Sequence, residues 1–224
     1  MLRGIREENM PNWIVAFSHL LNGREDLWPV RGSRLLEQTS DARRRAVIVD
    51  WFDGFEGRRT NMITGYKEAG DSLVVLSLAE DWHRGHVLIY PVLFCYRQFI
   101  ELSLKAQIED FGGHAKVSIA HSGHNLRTLL KKFRTMLQVL KYNFPEEMLV
   151  AASKNILEFD KVDPHSFAFR YATKKSGEHY TIEFSMVDIV TLRDGMNALG
   201  NFFRTSSADL ATRYRKDYPD WANH

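Results

Sequence analysis

The sequence has a single cysteine, Cys95, among its 224 residues. One thiol cannot form an intramolecular disulfide or build a cysteine-rich zinc site, and so low a cysteine content is typical of a reducing compartment. We therefore expect a cytoplasmic protein. His83 and His86 lie three residues apart, but neither a carboxylate nor a third histidine stands beside them at metal-ligand spacing. We expect no metal and no other cofactor.

Long apolar runs are also absent, because no window reaches the roughly 18 uninterrupted apolar residues of a membrane span. The most apolar stretch, residues 87–108, contains Arg97, Glu101 and Lys105. This stretch predicts a buried helix of a soluble helical bundle. Residues 1–10 carry charges with no apolar core behind them, so we expect no targeting signal and no membrane partner.

The chain lacks a strong net charge, since 30 Lys and Arg face 28 Asp and Glu, leaving +2. The global field therefore does not point to nucleic acid, and any electrostatic argument must be local. The sequence contains no Walker loop, no dinucleotide-binding glycine motif, no serine-hydrolase elbow and no H-E-x-x-H motif. These absences exclude the commonest motif-defined enzyme classes.

What is present divides the chain into two parts. The first 60 residues place glycine and proline between short apolar clusters, and residues 1–81 predict an irregular N-terminal extension. It has candidate helices over 13–21 and 33–52, and the short apolar run in 71–79 predicts a strand, with a buried helix as the alternative. Residues 82–224 predict a mainly α, up-and-down helical bundle.

Four helices are predicted in this second part. The first runs from about His83 to the Gly112-Gly113 pair, and the second covers residues 125–142, where leucines and other apolar residues recur at helical spacing. Pro145 separates the second helix from a third over 146–159. A fourth begins at Ser185, with Ser185 and Asp188 as a capping box. The tail from Thr205 is either a surface helix or a loose end.

The first helix carries a polar stripe in which Arg97, Glu101 and Lys105 recur every four residues. Charges in this order pair along a helix. We expect a solvent-exposed, salt-bridged edge.

The segment between the third and fourth helices predicts a small β-hairpin. Phe167, Phe169 and Tyr171 fall at every second position, and so do Tyr180, Ile182 and Phe184. Alternation would turn Arg170 away from the buried aromatics, towards a cleft where it holds a phosphate or pairs with a carboxylate such as Glu101.

Residues 111–145 contain no Asp or Glu. Within them Arg127, Lys131, Arg134 and Lys141 fall on one flank of the second helix. Cations in such a row suit the neutralisation of backbone phosphates, although a simple solvated helix face is the alternative. A second acid-free stretch, 164–177, adds Lys174 and Lys175 at the predicted hairpin tip, together with Arg170.

Two groups of histidines are candidates for chemistry. His121 and His124 precede the basic helix, where they would cap it, line a pocket or bind phosphate. His165 and His179 flank Arg170 in sequence. Phosphodiester cleavage needs a base, an acid and a cation, so these three residues are the candidate catalytic set.

The string Tyr96-Arg97-Gln98-Phe99-Ile100-Glu101-Leu102-Ser103-Leu104-Lys105-Ala106, followed after a loop by Gly123-His124-Asn125-Leu126 and Leu129-Leu130, resembles the HEPN superfamily. Phe169-Arg170-Tyr171 is similar to a segment of many bacterial members. The resemblance covers residues 82–203. It implies a compact helical bundle, often dimeric, of the kind found in ribonucleases, toxin–antitoxin and phage-defence systems and non-catalytic nucleotide-binding modules.

Ribonucleases of that superfamily typically place a histidine after an arginine with four to six residues between them, and this sequence has no such pair. We therefore expect a HEPN-like protein that forms a homodimer and binds RNA, a nucleotide or a protein partner, with binding favoured over catalysis. The alternatives are a divergent metal-independent endoribonuclease that uses Arg170 with His165 or His179, and a purely structural dimerisation module.

Overall fold

The computed structural model describes residues 55–79, 82–142, 144–182 and 184–217. These ranges contain five α-helices, and we label them in chain order α1 (Phe55–Ala79), α2 (Trp82–Phe111), α3 (Leu126–Val139), α4 (Glu146–Val162) and α5 (Ile189–Asp217). The predicted mainly α bundle is confirmed. The candidate helices over 13–21 and 33–52 lie outside the described residues.

Helix α2 packs mainly against α1, α3 and α5. Its buried residues Tyr96, Ile100 and Leu104 form the core together with apolar side chains from every other helix, among them Val74, Phe133, Ile156 and Leu199. Residues 85–111 of α2 are long and apolar enough to cross a membrane by length and composition, and half of their most apolar window is buried inside the bundle.

Of the two alternatives for 71–79, the strand is wrong and the helix is confirmed, because these residues are the last part of α1. Gly70, Val74 and Ser77 are buried while Val75 and Leu78 are exposed, which is the i, i+4, i+7 spacing of a helix. The three adjacent apolar residues at 74–76 that suggest a strand therefore point in different directions.

Helix α1 belongs to the stretch that the sequence assigns to the extension, yet it packs on the bundle. Val74 is fully buried in the core, and the Tyr96 hydroxyl donates a hydrogen bond of 2.8 Å to Asp71. Arg59 pairs with Glu109 and Asp110 at the far end of α2. The described residues all lie within the compact unit Asp50–His224.

The predicted core stripe of α3 is confirmed. Leu126, Leu129, Leu130, Phe133, Met136 and Leu137 are all buried. The side chain of Asn125, and not a histidine, caps the helix by accepting a hydrogen bond of 2.7 Å from the Thr128 N–H. Because α3 ends at Val139, Lys141 lies in the following turn and not on the helix.

The last helix begins later and runs longer than expected. Asp188, not Ser185, is its cap, since the Asp188 carboxylate accepts from the N–H groups of Val190 and Thr191. Met196, Leu199 and Phe203 are buried, and the helix continues through Thr205 to Asp217, with Tyr214 also buried.

The β-hairpin is not confirmed, because the described part of this segment contains only one isolated antiparallel bridge, between Thr173 and His179. Turns occupy the residues before the bridge, where the N–H groups of Arg170 and Tyr171 both donate to the Phe167 carbonyl. Phe169 is consequently buried while Phe167 and Tyr171 are exposed, so the three aromatics do not share one face.

Candidate nucleic-acid interface

The polar stripe of α2 is not a solvated edge. Arg97 is 0% exposed and Glu101 2% exposed. Arg97 donates three hydrogen bonds, from Nε to the Asp163 carbonyl (2.9 Å), from Nη1 to Glu101 (2.9 Å) and from Nη2 to the His124 carbonyl (2.7 Å). A buried guanidinium is tolerated when its charge is paired and its nitrogens donate hydrogen bonds, and here both conditions are met.

Glu101 joins this arginine to the loop before α3. Its Oε1 accepts from Lys105 Nζ at 2.7 Å and from His124 Nδ1 at 2.8 Å. Burial alone would raise the pKa of Glu101, but the hydrogen bonds and charges of Lys105 and His124 outweigh burial and hold the pKa below its ordinary value. An ionised carboxylate can only accept, so in this pair His124 Nδ1 is the donor and Glu101 the acceptor. The His124 side chain is 59% exposed.

Asp163 shapes the loop that follows α4. Its Oδ1 accepts from the N–H groups of Phe167 (2.7 Å) and Ala168 (3.0 Å), while Oδ2 lies 3.5 Å from Arg97 Nε. Ser166 adopts a left-handed φ of 63° and its hydroxyl accepts from Gln98. Helix α2 thus holds two loops at once, one through His124 and the other through Asp163 and Ser166.

The predicted catalytic set is not assembled around Arg170. This side chain is exposed, donates from Nε to the Ser166 carbonyl at 2.6 Å and lies 5.3 to 5.8 Å from the ring centres of Phe94, Phe167 and Tyr171. Its contacts within the described ranges include neither histidine of the set. His165 and His179 are themselves exposed.

The expected pairing of Arg170 with Glu101 is also wrong. The guanidinium that Glu101 binds is that of Arg97, four residues earlier on the same helix. The expectation depends on strand alternation at Arg170, which the turns around Phe167 remove.

The predicted basic flank of α3 becomes one wall of a shallow groove of about 510 Å³. The other wall is α4. Among the residues described, one acid, Glu158, and four cations line the groove; the cations are Arg127, Arg134, Lys154 and Lys161. Lys154 and Lys161 are missing from the predicted flank, although their spacing of seven residues places both on one face of a helix.

Arg127 is held in position by Asp160, which is buried near the end of α4. One oxygen of Asp160 accepts the Arg127 N–H and the other accepts Nε, both at 3.0 Å. The carboxylate also meets the first turn of α3, where the helix dipole favours a negative charge. The Arg127 side chain stays 65% exposed. Its two Nη groups have no hydrogen-bond partner among the residues described.

The other predicted phosphate ligands are dispersed. Lys131 is exposed on α3 outside the lining of the groove. Arg134 donates to the Ser153 hydroxyl at 3.1 Å and lies 3.7 Å from Glu146, so its charge is partly balanced. Lys141 lines a different, small polar cavity with His114 and Arg213. Of the four residues predicted to share one flank, two, Arg127 and Arg134, line the groove.

Lys174 and Lys175 lie at the turn of the isolated bridge, and neither of them lines the groove. Lys174 pairs with Glu178 at 3.1 Å, and that pairing lowers the pKa of the glutamate. The local ion pair thus offsets half of the positive charge expected at this tip.

Among the residues that the structure describes, no group of three or more His, Cys, Asp or Glu side chains is placed to hold a metal ion. Comparison of the chain with protein-family models, with curated proteins and with solved structures finds no match.

Proposed function

We propose that this chain is a HEPN-like, cytoplasmic helical protein that binds RNA or a nucleotide through its phosphates, at the groove between α3 and α4. One observation carries the proposal, which is that Arg127, Arg134, Lys154 and Lys161 line this groove while Glu158 is the one acid among its described lining residues. The resemblance of the 96–106 and 123–130 segments to the HEPN superfamily supports the same assignment and suggests a homodimer in a defence or toxin–antitoxin setting.

The geometry of Arg127 supports phosphate binding in particular. Asp160 holds Nε and the backbone N–H, so the guanidinium plane is oriented before any ligand arrives. The two Nη groups have no hydrogen-bond partner among the described residues, and a planar pair of donors matches two phosphate oxygens. A ligand that meets a pre-positioned arginine does not have to order it, which improves affinity.

Charge reversal in and beside the groove tests the proposal. We expect the double variant Lys131→Glu/Lys154→Glu to bind a labelled mixed-sequence single-stranded RNA more weakly than the unmodified chain. The slope of log K against log salt should flatten by about 0.7 for each phosphate that the variant no longer neutralises. Both lysines are exposed, so folding should be unaffected within about 0.5 kcal/mol per change.

The matched control is Arg204→Glu/Lys216→Glu, which makes the same change in net charge at exposed positions of α5. We expect this control to bind RNA as the unmodified chain does. Equal decreases in affinity in the two variants would show that only net charge matters, and no decrease in either would remove the groove from the proposal.

RNA cleavage is a second candidate function, favoured by the Glu101–His124 pair. An exposed imidazole whose Nδ1 is held by a buried carboxylate has the arrangement of a general base. Incubating the same RNA with the unmodified chain, His124→Gln and the variants His165→Gln, His179→Gln and Arg170→Ala separates the possibilities. Cleavage that is abolished in one of them identifies the residue, and intact RNA in all of them leaves a binding role.

A further inference from the structure

A second cavity, of about 450 Å³, adjoins the basic groove. It lies between the end of α4, Leu93 of α2 and the segment that leads into α5. Its lining is mainly apolar and includes three phenylalanine rings, those of Phe159, Phe169 and Phe184. We call it the aromatic cavity.

The aromatic cavity and the basic groove adjoin each other on α4, because Glu158 and Lys161 line both of them. Within the described part of the chain, these two are also the only charged residues that line the aromatic cavity. One turn of α4 therefore separates a space lined by cations from a space lined by rings.

Another apolar cavity, between α4 and α5, offers a comparison. It measures about 330 Å³ and contains Phe144, Met148 and Phe202, yet none of its described lining residues is charged. Apolar space alone is thus not distinctive in this bundle. The combination of rings with an adjoining row of cations occurs at the aromatic cavity.

We propose that the aromatic cavity receives an unpaired nucleobase of an RNA strand whose phosphates lie in the basic groove. This inference rests on the proposed RNA-binding function and adds to it the kind of RNA that is bound. A nucleobase is flat and apolar on its faces and polar at its edge. Aromatic side chains bind such faces by stacking, and they do so with little dependence on base identity.

The charged residues at the junction match the rest of a nucleotide. Lys161 stands where the phosphate and the base would meet, and the Glu158 carboxylate supplies an acceptor for the N–H donors of a base edge. The volume suits a nucleoside, since ligand pockets are typically about 300 to 1,000 Å³. A paired base cannot enter the cavity without leaving its helix, so binding selects single-stranded over double-stranded RNA.

The test compares binding of one labelled RNA as a single strand and as a duplex with its complement. We expect the single strand to bind at least tenfold more tightly to the unmodified chain. Val187 is a half-buried residue of the cavity lining, and Val187→Trp fills the space. This variant should lose most of the preference for the single strand, while its affinity for the duplex stays unchanged.

The matched control is Ala151→Trp, which fills the uncharged cavity between α4 and α5 and should bind both RNAs normally. Phe184→Leu removes a half-buried ring but keeps apolar volume, and it should weaken single-strand binding on the order of tenfold. It serves as the decisive variant if circular dichroism shows that Val187→Trp does not fold.

The outcomes separate this inference from the proposed function. Both proposals stand if three results are obtained together. RNA binding is weakened by Lys131→Glu/Lys154→Glu, the unmodified chain prefers the single strand, and the variants of the aromatic cavity lose that preference. If RNA binds through the groove but single strand and duplex bind equally, or the folded cavity variants bind normally, the nucleobase site is wrong and the groove remains. If no RNA binds, both are overturned.

Discussion

The buried side chain of Glu101, which binds Lys105 and His124, makes the stability of this protein depend on pH. The folded state holds the pKa of Glu101 below its ordinary value, whereas the unfolded chain has a glutamate pKa of about 4.3. The ionised form therefore stabilises the fold above about pH 4.3. This contribution disappears as the pH falls through the lower, folded-state value.

Glu101→Gln isolates the effect, since it keeps the shape of the side chain and removes the charge. At pH 7 we expect a loss of about 3 kcal/mol in the free energy of unfolding, because the buried Arg97 loses its ionic partner. The difference from the unmodified chain should shrink progressively below about pH 4.3. Urea unfolding measured at several pH values tests this, and a difference that is constant from about pH 7 to about pH 3 would contradict it.

At the scale of elements, the packing of α1 on α2 depends on a glycine. A Cβ atom at Gly70 would lie 2.5 Å from a ring carbon of Tyr96, too close for two carbon atoms that are not bonded. Tyr96 is fully buried and its hydroxyl is held by Asp71, so the ring has little freedom to move. The glycine therefore sets how closely the two helices approach.

Gly70→Ala and Gly65→Ala form a matched pair of variants within α1. Nothing lies within 4 Å of a Cβ at Gly65, so alanine there should stabilise the helix by up to about 1 kcal/mol. At Gly70 the same gain should be outweighed by overpacking against Tyr96, giving a net loss of about 1 to 2 kcal/mol. Thermal unfolding of both variants measures the difference, and a stabilising Gly70→Ala would show that Tyr96 repacks freely.

The elements that the sequence predicts well are those whose pattern is local. The stripe from Leu126 to Leu137, the stop at Gly112 and the break at Pro145 each depend on neighbours a few residues apart. The strand predicted at 71–79 is wrong because three adjacent apolar residues have no resolvable period. The hairpin is not confirmed, and at Phe167 and Ala168, where the sequence pattern predicts a strand, the Asp163 side chain accepts from both N–H groups and organises a turn.

The candidate site is less predictable, and the reason is again distance along the chain. Arg, Glu and Lys at intervals of four look the same on an exposed edge and in a buried network. Arg97 belongs to a buried network because it binds the backbone carbonyls of His124 and Asp163, and both of these lie far from it in sequence. The sequence predicts half of the basic groove, since the cations of α3 form a visible row and those of α4 become their neighbours only in the folded chain.

At the scale of the whole molecule, Arg97 connects α2 to both loops that border the candidate site. Arg97→Met keeps the apolar length of the side chain but leaves Glu101 and two backbone carbonyls without this donor. We expect a loss of roughly 3 to 5 kcal/mol in the free energy of unfolding, which is typical when one partner of a buried ion pair is removed. Arg204→Met, at an exposed position of α5, should change stability by less than about 0.5 kcal/mol. A small loss for Arg97→Met in urea titration would mean that water replaces the guanidinium.

The position of Arg97 also couples the opening of the two loops. Its bonds run to the backbone carbonyls of His124 and Asp163, so neither loop can detach without releasing the same guanidinium. In native-state hydrogen exchange the amides on both sides should therefore open as one cooperative unit with a common free energy. A ligand that clamps the loop at His124 would slow exchange around Phe167 and Ala168, which transmits occupancy of one loop to the other without any change of shape.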